Sequence, residues 1–432
     1  MNRMSRRALL RGGVGVVAGA AAVGGPFQGF VALAGAGPRR PPDFRDLRAI
    51  PDLRGDVVRL WLPEGFQYRS FHDTEFPVVL NDGTSLPGRH DGMAAFAGPN
   101  GNVILIRNHE INNPTPFFGP NTPAPYDTMG GGGTTTTVVT KFGEVVSAFT
   151  SLNGTQMNCS GGRMPWGSWI TCEETINGPD VGPDFTGVSN IPLTQRHGFI
   201  FEVPAGGTGQ SDRVPITRAG RFAHEACAFD PQDGILYLTE DNFGFPSGLY
   251  RYIPASNPMQ TGFLANNGRL QMLKVKGVTN ADLAATQPQR ATYQVDWVDI
   301  ADPAPSFPFT PGVTAPTTND TALQYVGAQG FAQGAARFSR LEGAVYDNNV
   351  VYFASTQGGG PAEPGLSDTV QGWGNGTGQI WAYHTRAQRL QLLFQSPGAD
   401  VLDFPDNITT RGSGNTLVLC EDNINDNFIR GL

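Results

Sequence analysis

The chain has 432 residues, 57 of them Gly and 34 Pro, and only 16% are charged. A net charge of −8 argues against nucleic acid and anionic membrane surfaces as partners, and four cysteines are too few for a disulfide framework at this size. This composition predicts a loop-rich, all-β protein, long enough either for two domains or for one propeller of repeated blades.

Residues 5–11 read SRRALLR, and a Gly/Ala/Val-rich stretch follows from Gly12 to Ala36, ending in Ala34-Gly35-Ala36. This predicts a twin-arginine export segment over residues 1–36, with an uncleaved membrane anchor as the other reading. The expected partner is then the twin-arginine export machinery, and the expected location periplasmic or extracellular. The segment carries Arg3, Arg6, Arg7 and Arg11 and no acid, so the rest of the chain is more acidic than the total implies. Residues 37–56, rich in Pro and Arg, read as a linker, and residues 57–432 as the folded domain.

Val57 to Phe71 predicts two short strands around Pro63-Glu64-Gly65. A hairpin follows over His90 to Glu110, then a loop with five prolines, Asn112 to Pro125. The Gly130 to Gly133 run lacks a following Lys and helix, so it is a loop entering a strand rather than a phosphate cradle. Further strand pairs are predicted over 136–152, 197–204, 248–254 with 268–277, and 379–395. Between them sit copies of one hairpin. In Phe222 to Asn242 two apolar runs flank a Pro-Gln-Asp-Gly turn, which predicts Glu225 and Glu240 side by side at one end of a sheet. Leu341 to Gly358, Asp406 to Asp422 and Asn158 to Glu174 repeat it. In each, an ionisable opening residue (Glu342, Asp406 or Cys159) is followed fifteen residues later by Gln357, Glu421 or Glu174.

Four-stranded units recurring at this interval read as propeller blades whose acidic ends converge at one mouth of a central channel. Twice the usual spacing separates Glu240 from Gln357. That gap predicts an insertion near 278–337 with a short helix in Ala328 to Arg337. Clustered carboxylates are costly without cations to neutralise them, so the converging ends predict a metal site.

The stretches LPEGF (62–66), IRNHE (106–110), NCSGG (158–162), WITCEE (169–174), HEACAFDP (224–231), YLTED (237–241), SRLEG (339–343) and LCED (419–422) occur in this order. Together they resemble the PhoX-type alkaline phosphatases, a family of exported phosphatases. The resemblance implies a six-bladed β-propeller, here with its last blade incomplete, that hydrolyses phosphate monoesters with iron and calcium as cofactors. It implies Cys159 as an iron ligand and Glu174, Glu225, Glu342 and Asp422 as ligands of iron or calcium. Arg340 would contact the phosphate of a small phosphorylated substrate, and the chain would act as a monomer.

The residues allow other roles. Cys159 is either a thiolate ligand or a small buried core residue. Glu225 and Glu342 are either oxygen donors to metals or acids bridged to Arg221 and Arg340. Arg340 either binds phosphate with its planar fork or pairs with a neighbouring acid. Asn108 is placed as a phosphate contact. Neighbours on a strand face opposite ways, so Glu173, Asp241 and Glu421, together with Glu110, are assigned behind the ligands. The competing functions are a calcium-dependent propeller hydrolase of lactones or esters, and a non-catalytic surface protein stabilised by metal.

Overall fold

The computed structural model describes residues 47–432 apart from 74, 265, 363–372, 411–415 and 425. The export segment therefore lies outside the described residues, as do 37–46 of the expected linker. Strand β1 (Arg48–Pro51) forms inside the rest of that linker and pairs with β2 (Val58–Leu62). The second strand expected before Phe71 does not form.

The main body is a series of antiparallel meanders. The first blade is β3 (His90–Ala97), β4 (Val103–His109), β5 (Gly132–Val139) and β6 (Val145–Thr155). The second is β7 (Asn158–Arg163), β8 (Ser168–Glu173) and β9 (Ile200–Pro204). The third is β10 (His224–Asp230), β11 (Ile235–Glu240), β12 (Leu249–Ile253) and β13 (Arg269–Val275). After β14 (Thr292–Asp299) and helix α1 (Asn319–Phe331), the fourth blade runs β15 (Leu341–Asp347), β16 (Val350–Ser355), β17 (Gln379–His384) and β18 (Arg389–Gln395). The fifth is β19 (Pro405–Thr410), β20 (Leu417–Glu421) and β21 (Ile429–Gly431). This is an all-β, propeller-type fold.

The insertion differs from expectation in two ways. The helix covers 319–331 rather than 328–337, starting where Thr318 accepts a hydrogen bond from the Thr321 amide, a normal N-cap. Strand β14 also forms there, pairing with β13 on one side and β18 on the other. It joins blades three and four into one nine-stranded sheet.

Apolar clusters fill the spaces between successive blades. Phe96 and Ile106 meet Trp169 and Phe201 between the first two, and Ile170 and Ile200 meet Phe229 and Leu238 between the next. Tyr237 meets Phe353 and Trp381, and Ile380 meets Ile408 and Leu419. Strands such as β11 are buried on both faces, which is why their apolar runs are nearly continuous.

The inner strands β3, β7, β10, β15 and β19 are neighbours in that order. They approach closely because small residues line the seams. A Cβ on Gly92 would stand 2.7 Å from the Cα of Ser160, and one on Gly343 the same distance from the Cα of Asn407. Either contact would force the strands apart.

Candidate metal centre

Each inner hairpin carries the same irregularity. His90 faces His109, Asn158 faces Glu173, His224 faces Glu240, Leu341 faces Ser355 and Pro405 faces Glu421. In all five the register then slips, so that two residues oppose one. Such a β-bulge bends the strand and re-aims a side chain. The first residue of every bulge is a potential ligand: Asp91, Cys159, Glu225, Glu342 and Asp406. The bulge corrects the expected pairing of Glu225 with Glu240, because His224 stands opposite Glu240 instead.

Two groups of donor atoms form, each with its members within 4.8 Å of one another. One holds Cys159, Glu174 and Glu225, and the other Glu225, Glu342 and Asp406. Glu225 belongs to both. The Cys159 thiol lies 3.2 Å from the His224 carbonyl oxygen.

Charge in this space is badly balanced. Burial, then the charges of Asp241 and Glu225, raises the pKa of Glu174 well above the carboxylate range, and burial with Asp406 and Asp91 does the same to Glu225. Glu342 is raised by burial, Asp241 and Glu225. Asp91 is pushed up to about 8 by burial and by Glu110 and Asp406, and Asp406 to about 7 by burial and by Asp422 and Asp241. Burial and the adjacent Glu225 and Glu174 keep the Cys159 thiol protonated. Asp91 and Asp406 lie on the first and last inner strands, so their mutual repulsion shows how far the series of blades has curved round. Carboxylates so crowded and so poorly hydrated fit a site built for cations.

Arg340 is the guanidinium set among these acids. Its Nε and Nη2 donate to Asp241 at 3.0 and 2.7 Å, and Nη2 also to Glu342 at 3.3 Å. Burial opposes its charge, but Asp241 and Glu342 outweigh it and hold the guanidinium charged. Nη1 has no hydrogen bond among the described residues, and the side chain is 21% exposed. The ring of Phe243 lies 5.3 Å from the guanidinium carbon.

Several sequence assignments are corrected. Asn108 is 0% exposed and has no capacity left for phosphate. Its amide nitrogen donates to the carbonyls of Cys159 and Ser160, and its oxygen accepts from Trp169 and Thr171. That uses both donors and both lone pairs, making Asn108 a brace that holds the Cys159 strand against β8. Asp422 is exposed and joins neither donor group, although its charge reaches Asp406 and Glu110. Asp241, assigned behind the ligands, instead holds Arg340. Arg221 pairs with buried Asp180 and not with Glu225.

Glu173 accepts hydrogen bonds from the amides of Gln156, Gly198 and Phe199 and from His197. Glu421 accepts from the amides of Asp403 and Phe428 and from Arg430. Both pin loops and lie outside the two donor groups. Glu110 is ion-paired with Arg89 at the edge of the centre.

Asp91 and Asp406 were missed as site residues, although the signal was present. His90-Asp91 occupies the place of His224-Glu225 in the repeat, and Asp406 opens its own hairpin. In all five copies the bulged donor is followed by Gly92, Ser160, Ala226, Gly343 or Asn407, mostly small residues at the tight seams.

The family model of alkaline phosphatase PhoX matches residues 46–432. The chain belongs to that family. It is a phosphatase. Among solved structures, Pseudomonas fluorescens PhoX in complex with vanadate, a transition state analogue, aligns with a TM-score of 0.54 at 17% identity, over 78% of this chain and 74% of that one. This likeness confirms the fold. A mutant of Synechocystis apocarotenoid oxygenase aligns at 12% identity over 78% of this chain and 56% of its own, with a TM-score of 0.31, too low to inform on this PhoX-family chain. Comparison with curated proteins finds no match.

Proposed function

We propose that this PhoX-family chain is a metal-dependent hydrolase of phosphate monoesters that works outside the cytoplasm. The observation that carries the reading is the pair of donor groups sharing Glu225, set among buried carboxylates whose pKa values burial and their acidic neighbours raise. The thiol-containing group, Cys159, Glu174 and Glu225, suits a transition metal such as iron. The all-oxygen group, Glu225, Glu342 and Asp406, suits calcium. Bound ions would supply charge neutralisation at the phosphoryl oxygens and a more acidic attacking water.

The chain's own residues bind and orient the ester. Asp241 fixes the Arg340 fork by two hydrogen bonds, so the guanidinium is already positioned before substrate arrives. Its free Nη1 donates to a phosphoryl oxygen and stabilises charge that grows there in the transition state. Phe243, 53% exposed beside that guanidinium, offers an apolar wall to the leaving group. The Cys159 ligand separates this reading from that of a calcium-only lactone or ester hydrolase.

Export rests on the twin-arginine pattern at Arg6-Arg7. Among the described residues no helix is long and apolar enough to cross a membrane. Replacing both arginines by lysine should leave the protein in the cytoplasmic fraction.

The deciding experiment is elemental analysis of purified protein, with p-nitrophenyl phosphate hydrolysis measured on the same sample before and after chelation. Iron and calcium with chelator-sensitive turnover are expected. Full turnover by metal-free protein would refute the reading.

A further inference from the structure

A cavity lies where α1 meets the end of β11, and nothing in the phosphatase reading uses it. It encloses about 300 Å³, the lower end of the range for small-molecule sites. Phe245, Leu323, Ala328 and Phe331 form its apolar wall. Asn242, Asn280 and Arg337 add polar groups.

These polar groups are unsatisfied. Asn242 is 2% exposed, yet its Oδ1 has no hydrogen-bond partner among the described residues. The Asn280 Oδ1 and the Arg337 Nε are also buried without one among those residues. The Arg337 guanidinium sits 5.7 Å from the Phe331 ring centre and makes no ion pair or side-chain hydrogen bond with the described residues. An orphaned buried group of this kind is destabilising, so three around one cavity point to a partner. That partner must accept from a guanidinium, donate to two amide oxygens and offer carbon surface to aromatic rings.

Glu240 also lines the cavity but does not repel an anion. Its Oε2 already accepts from the Gly248 amide and the Tyr250 hydroxyl. Burial pushes its pKa up to about 8, which favours the protonated form over the charged one. Asp241, between Glu240 and Asn242, turns instead to Arg340. One strand end thus serves both the metal centre and the cavity.

We propose that this cavity binds a small organic anion that also carries a hydroxyl or amino group. The test is ligand-observed NMR on the metal-loaded protein with lactate, 3-hydroxybutyrate and 4-hydroxybenzoate as probes. At least one should bind. Arg337→Met should weaken that binding about tenfold or more, as loss of a charged hydrogen bond implies, and Ala328→Phe should abolish it by filling the space. Both variants should keep p-nitrophenyl phosphate turnover. Absence of binding by every probe overturns the proposal, and so does binding that survives Arg337→Met, which would place the probe elsewhere. Arg337→Met decides alone if Ala328→Phe does not fold.

Discussion

Three adjacent acid pairs, Glu173-Glu174, Glu240-Asp241 and Glu421-Asp422, occupy the same place in three of the five inner hairpins, yet their two members have different surroundings. The first closes a strand and is met by donors. Glu173 takes three amides and a histidine, Glu240 an amide and a tyrosine, and Glu421 two amides and an arginine. The second stands where the strand has ended, among other acids. Glu174 and Asp241 face the centre, and Asp422 is exposed beside it. The first kind is a structural acid that replaces water with fixed amides, whereas Glu174 has its charge unmet. On the proposed reading, function resides in acids that the chain's own hydrogen bonds leave poorly satisfied.

The largest expected effect comes from Glu225, shared by both donor groups. Glu225→Gln should lower turnover of p-nitrophenyl phosphate by at least about 100-fold, more than loss of a supporting partner usually costs. Metal content should fall on the same preparation, with far-UV circular dichroism preserved.

Protons sharpen the contrast next. An acid whose folded pKa exceeds its unfolded value keeps its proton longer in the folded chain. Its contribution is complete below the unfolded value and is lost as pH rises through the folded one. For Asp406 and Asp91 that window runs from 3.8 up to about 7 and about 8. Chelated protein should therefore melt at steadily lower temperature from about pH 5 to pH 8, while metal-loaded protein should show a much flatter profile.

The structural acids should behave in the opposite way. Glu173→Gln leaves buried amides and His197 without their charged acceptor. It should cost about 3 kcal/mol in denaturant unfolding, with metal stoichiometry unchanged. Asn108→Ala should cost about 2 kcal/mol by the same measurement. Its kcat per folded molecule should stay within about threefold, because Asn108 braces the Cys159 strand and has no free donor. A drop comparable to that of Glu225→Gln would restore Asn108 as a phosphate contact.

Much of this was legible in the residues. The fifteen-residue recurrence exposed the hairpins, their inner position and Cys159, Glu174, Glu225 and Glu342 as neighbours of one centre. The bulge was not legible, because it depends on how two strands pair and leaves only a small residue after the donor as its trace. Without it, Glu240 seemed to face Glu225, and Asp91 was passed over in its looser copy. Asn108 looked like a free polar group because its four partners come from β7 and β8, some fifty to sixty residues away in sequence. Strand β14 escaped notice because TYQVDWVD sits in a Pro- and Thr-rich stretch and pairs with strands from two different blades.

That last strand sets how the molecule comes apart. Neighbouring blades elsewhere are held mainly by side chains packed across a seam, which can loosen one contact at a time. Blades three and four share backbone ladders through β14, from Gln271–Val275 on one side to Arg389–Gln391 on the other. Neither can open without breaking hydrogen bonds of the other, so residues 224–395 should form a single cooperative unfolding unit. Amide protons of β13, β14 and β18 should exchange at one common rate, while those of the first, second and fifth blades are released separately.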